Sequence, residues 1–119
     1  MFRIRREHAE VFSAAHYRGF KDRMARHLRE HFPAETRTLS EEQMDAFIEE
    51  CVQRAGVYGL ESEQAVVCYA HLRLLLGDDF ETNPYWAFAR VALESDQASP
   101  NDKAKIAMLM AYELKDRGY

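Results

Sequence analysis

Three small groupings of side chains in this 119-residue chain have the types and spacing to do chemistry. His27 and His31 stand four apart, so on a helix they share a face and can bind one divalent cation, but the sequence offers no third or fourth ligand beside them. Cys68 and His71 stand three apart, with Cys51 one segment earlier, and a thiolate–imidazole pair or a three-ligand zinc site can be drawn from them. The tight Cys-x-x-Cys spacing usual for such zinc sites is missing, so buried thiols and a hydrogen-bonded histidine are the plainer reading. Asp78, Asp79 and Glu81 gather acid in one link without the Asp-x-Asp-x-Asp-Gly order of a calcium loop, which leaves a solvated turn. A di-metal bundle centre needs Glu-x-x-His, and none occurs; nor does a Gly-x-Ser-x-Gly elbow, a phosphate-cradling glycine loop or a dinucleotide fingerprint. The expectation is a chain with no catalytic residue, no metal and no cofactor. Its alternative is a small metal- or thiol-dependent enzyme using Cys68, His71 and the His27/His31 pair.

Five helical segments must position these groups. The first runs from about Arg5 to Phe32, with Phe12, Phe20, Met24, Leu28 and Phe32 at helical spacing, and Pro33 ends it because a residue before proline avoids the α region. Ser40-Glu41-Glu42-Gln43 is a capping box flanked by the hydrophobic staple Leu39/Met44, which opens a second helix with Met44, Phe47, Ile48, Cys51, Val52 and Ala55 on one stripe. Gly59 and Leu60 fit the end of that helix as a left-handed residue and the hydrophobe that packs back. The third segment, Ser62 to Gly77, is apolar almost all round and is predicted to be the central helix. Asn83-Pro84 and Ser99-Pro100 each supply an N-cap followed by proline at the first helical position. The last helix presents Ile106, Ala107, Leu109, Met110 and Leu114 before Gly118. Without strand alternation or hairpin dipeptides, the reading is an all-α, single-domain bundle of about five mostly antiparallel helices over residues 1–119.

Charge narrows the partners. Residues 1–31 carry eight Lys/Arg against four Asp/Glu, whereas the rest carries eight against sixteen. A basic first helix can meet an acidic partner or a phosphate backbone, yet folding against the acidic remainder of its own chain is the nearer reading. A sequence pI of about 5.7 and an apolar helix following the Gly59 turn argue against nucleic-acid binding. The most apolar run, Ala65 to Leu76, contains His71 and Arg73 and is too short to span a bilayer. The early arginines are followed by no apolar signal core, so cytoplasmic residence is expected. What is left is a protein-binding module. Arg18, Arg23, Arg26 and Arg29 on the first helix, with Tyr85 and Trp86, are its candidate contacts, being residue types enriched at binding hot spots. An exposed aromatic patch would equally make a homodimer.

The middle of the chain resembles a known family through Arg54-Ala55-Gly56-Val57-Tyr58-Gly59-Leu60-Glu61-Ser62-Glu63, Leu76-Gly77-Asp78-Asp79-Phe80 and Pro84-Tyr85-Trp86-Ala87. It is similar to small helical proteins encoded in bacterial type VI secretion and related toxin-delivery loci, near spike-tip proteins and effectors. The resemblance spans roughly residues 20–115 and consists mainly of caps and core positions. It implies an accessory role, as a chaperone or adaptor for a secreted effector or spike component, and supplies no catalytic residues. An immunity protein that covers a toxin's active site is the alternative within the same binding class.

Overall fold

The computed structural model describes residues 14–118. Among them the regular structure is wholly helical: α1 (Ala14–His31), α2 (Pro33–Thr36), α3 (Glu41–Gly56), α4 (Glu63–Leu76), a 3-10 turn (Pro84–Trp86), α5 (Ala87–Glu94) and α6 (Pro100–Asp116). The five segments read from the sequence are present and α2 is one added turn. The portion of the first helix expected over residues 5–13 lies outside the described residues.

Local chemistry accounts for the boundaries. Ser40 Oγ accepts from the Gln43 backbone N–H at 3.0 Å while the Ser40 N–H donates to the Gln43 side chain at 2.9 Å, a complete capping box. Ser40→Ala should therefore cost about 1 kcal/mol in urea unfolding. At the other end of α3 the Leu60 N–H reaches back to the Ala55 carbonyl at 3.1 Å, and this requires Gly59 at φ 77°, a left-handed position that suits glycine. Ser62 and Gly77 bound α4 as expected. Asn83-Pro84 differs from expectation: Asn83 caps a tight 3-10 turn, and the α-helix begins only at Ala87.

The contacts fix the directions of the helices. Lys21 meets both Asp45 and Glu49 and Tyr17 meets Glu49, so α1 and α3 run antiparallel. Cys51 meets Arg73 and Tyr58 meets Tyr69, so α3 and α4 do too. Across α4 and α6, however, Ser62 pairs with Asn101 and His71 with Tyr112, which makes these two helices parallel. α1 also runs parallel to α4, through Arg23–Glu63 and His27–His71. Antiparallel order thus holds between consecutive long helices, while the connection through α5 lets α6 lie alongside α4 in the same sense.

α4 is the central helix, with Ala65, Val66, Cys68, Tyr69, Ala70, Leu72 and Leu76 buried together with His71 and Arg73. Phe20, Met24 and Leu28 approach it from α1, Phe32 from the junction with α2, and Met44, Ile48, Cys51 and Ala55 from α3. The stripe expected on α6 is not the one that packs inward. Ala104, Ala107 and Ala111 face inward and Leu114 is half-buried, whereas Ile106, Leu109 and Met110 point outward, 47%, 52% and 41% exposed. Small side chains let α6 approach α4 closely, because interaxial distance follows the size of the residues at the contact.

The acidic link is also more than a solvated turn. Arg73, 4% exposed, donates to Asp78 (2.9 Å from Nε) and Glu50 (3.1 Å), and its guanidinium lies 4.4 Å from the Phe47 ring centroid. Burial disfavours its charge most strongly, but the bond to Asp78 together with the contact with Cys51 and the Asp78 charge outweighs that and raises its pKa. Glu81 accepts from Tyr69 at 2.7 Å, from Tyr58 at 3.1 Å and from Arg54, tying the link to α3 and α4. Both cysteines are free and buried; burial pushes the Cys51 thiol up to about 11 and raises that of Cys68 as well. Neither is an activated thiolate.

Candidate functional site

A groove of about 550 Å³ opens between α1, α4 and α6, lined by Phe20, Arg23, Met24, His27, Glu63, Gln64, Val67, Cys68, His71 and Met108. At one end three imidazoles converge. His27 Nε2 and His71 Nε2 are 2.8 Å apart, and His71 Nδ1 lies 2.6 Å from the Tyr112 hydroxyl. The His31 ring centre is 4.1 Å from that of His27 and 5.8 Å from that of His71. The edge of Phe32 closes the group.

Hydrogen-bond logic restricts the protons. A carbonyl only accepts, so the 3.0 Å contact of His31 Nδ1 with the His27 carbonyl places a hydrogen on that nitrogen, and in the neutral tautomer so fixed Nε2 is the acceptor. Between His27 and His71 one Nε2–H must donate to the other ring. The Tyr112 hydroxyl completes the chain in either sense, donating to Nδ1 of His71 or accepting from it. Burial, and then the neighbouring His27 and His31, lower the His71 pKa to about 4, and burial lowers that of His27. The pair is therefore held neutral near pH 7.

The sequence paired His27 with His31 and His71 with Cys68. The contact between His27 and His71 crosses 44 positions and needs α1 and α4 in register, so neither local spacing could reveal it. No three His, Cys, Asp or Glu side chains are already gathered as a metal-ligand set among the described residues.

The candidate partner contacts are dispersed. Arg18 and Arg26 are exposed on α1. Arg23, also exposed, holds both carboxylate oxygens of Glu63 at 2.9 and 3.1 Å. Arg29 donates to the Thr36 and Leu39 carbonyls at 2.8 and 2.9 Å and so clamps α1 to the chain leading into α3. Tyr85 is exposed, but Trp86 is buried beneath it, with Lys115 5.2 Å from its ring centroid. The aromatic pair therefore offers a single ring to solvent. Part of the basic helix is spent on the chain's own acids, as the Lys21 pairs with Asp45 and Glu49 also show; these line a second, more polar groove of about 400 Å³.

The apolar surface missed by the sequence reading is the outer side of α6. Ile106, Leu109 and Met110, spaced i, i+3, i+4, form one outward stripe with exposed charges of both signs around it, Asp102, Lys105, Asp116 and the Glu113–Arg117 pair. The signal was available in Ala104, Ala107 and Ala111, an alanine stripe at the same period on the opposite side. No family model, curated protein or solved structure matches the chain. No described helix is long and apolar enough to cross a membrane.

Proposed function

We propose that this chain is a non-enzymatic, cytoplasmic protein-binding module that serves as a chaperone or adaptor for a secreted bacterial effector or spike component of the type VI kind. The observation that supports it is the outward stripe Ile106, Leu109 and Met110 on α6, large apolar side chains left open while alanines on the same helix fill the core. Large residues at helical spacing on an uncovered face suit a partner helix laid across them. The raised thiol pKa values favour binding over thiol chemistry.

Co-expression with a candidate effector and spike protein of the type VI kind, followed by co-purification and light scattering, tests the reading. A stoichiometric complex is expected. The double change Ile106→Asp, Leu109→Asp should weaken it at least about tenfold with helicity unchanged. A complex indifferent to both changes would remove the α6 face from the proposal. If the captured effector is toxic and the chain rescues growth, the immunity form of the same binding role is the one selected.

A further inference from the structure

The groove end carries a second inference, independent of the α6 face. We propose that His27 and His71, joined by His31, form a binding site for a divalent transition-metal ion of the class that prefers imidazole, such as zinc, cobalt or nickel. Three observations converge on it.

The first is the facing of the two Nε2 atoms at 2.8 Å across two helices. Imidazole nitrogens each ~2.0–2.1 Å from a shared ion stand ~2.9 Å apart at a right angle and ~3.3 Å apart at the tetrahedral angle, so about half an ångström of separation, with each ring swung so that its Nε2 lone pair turns from its neighbour toward the ion, admits it. The second is the outer shell. Metal-ligating histidines characteristically commit their other nitrogen to a carbonyl, carboxylate or hydroxyl, which fixes tautomer and ring orientation. His71 Nδ1 is committed to Tyr112 and His31 Nδ1 to the His27 carbonyl, with the His31 ring centre 4.1 Å from that of His27. The third is surroundings: the histidines open onto a groove that reaches solvent, while Phe32 and Met24 supply apolar walls.

In the ion-free protein one Nε2–H bridges the two rings. Binding turns the donor ring to its Nδ1–H tautomer, so both Nε2 lone pairs meet the ion and no net proton leaves a neutral pair. If His71 is that donor, its new Nδ1–H donates to the Tyr112 oxygen. Three ligands are not gathered beforehand among the described residues; His31, exposed on α1 with its ring centre 4.1 Å from that of His27 and 5.8 Å from that of His71, is the third ligand, reached by a turn of its side chain. Solvent in the groove completes the coordination.

The test uses the untagged full chain, stripped with chelator and titrated with Co²⁺ by visible absorption and with Zn²⁺ by calorimetry. One ion per chain is expected. His27→Gln and His31→Gln should each weaken binding by at least about tenfold, and Tyr112→Phe by about tenfold through its hold on His71. His16→Gln, on the same helix but outside the cluster, should leave the affinity unchanged. Because His71 is buried and its replacement can disturb folding, the exposed His31 and half-buried His27 carry the decision. Absence of saturable binding, affinity unchanged in His27→Gln, or binding that follows His16 instead would each overturn the proposal.

Discussion

Replacing Glu81 with alanine should lower folding stability by about 3 kcal/mol, because it strips a shared acceptor from three partly or wholly buried donors at once. The Glu81 side chain is 16% exposed and holds the hydroxyls of Tyr69 and Tyr58 together with the Arg54 guanidinium. Tyr69 is fully buried, and its hydroxyl pKa is raised by burial and then by the bond to Glu81, so it stays a protonated donor that needs an acceptor. Its loss also frees the link between α4 and the 3-10 turn from α3. The exposed Arg90–Glu94 pair on α5 gives the contrast: Arg90→Ala should cost less than about 0.5 kcal/mol, as solvent-facing i,i+4 pairs do. Urea unfolding of both variants checks the difference. Equal losses would mean that water replaces the carboxylate. A double change of Glu81 and Arg54 should cost less than the sum of the single changes, because the two share one network.

This network marks where sequence reading stops. The Ser40 capping box, the Gly59 stop and the apolar all-round α4 are legible because each is decided within a few residues, and the structure follows them closely. Asp78 and Glu81 read as solvated acid because their partners, Arg73, Arg54, Tyr58 and Tyr69, are spread over two other elements. Pattern alone also assigns the wrong face to α6, since that helix carries an alanine stripe and a large apolar stripe at the same period. Packing against the broad, apolar α4 selects the alanines. The histidine cluster fails in a third way: each local pair was visible, but the register of parallel helices that brings His27 to His71 is a tertiary fact. On the surface, Arg29 and Trp86 have the composition of a binding site and serve the fold, whereas Ile106, Leu109 and Met110 have the composition of a core and face solvent.

Acid should destabilise the metal-free protein along a limb that belongs largely to His71. Its pKa falls from 6.5 to about 4 on folding, through burial first and then the neighbouring His27 and His31. Between those values the unfolded chain binds a proton that the native state refuses, so stability is present above pH 6.5 and is lost as pH falls toward about 4. At 1.36 kcal/mol per unit the full loss is about 3 kcal/mol, an upper value for a ring that borders a solvent-reaching groove. The groups facing it do not relieve the charge. α1 brings His27 and His31, which repel it; α6 brings the Tyr112 hydroxyl; and Cys68, one turn earlier on α4, is held as a neutral thiol. Urea midpoints of chelator-treated protein, followed from neutral pH downward, measure the limb. His71→Phe should start lower at neutral pH, having lost both hydrogen bonds, and should fall less steeply below pH 6.5 because its ring takes up no proton. That flattening separates the histidine from carboxylates, whose protonation destabilises both proteins alike. A variant limb parallel to that of the wild type would place the proton uptake elsewhere in the chain.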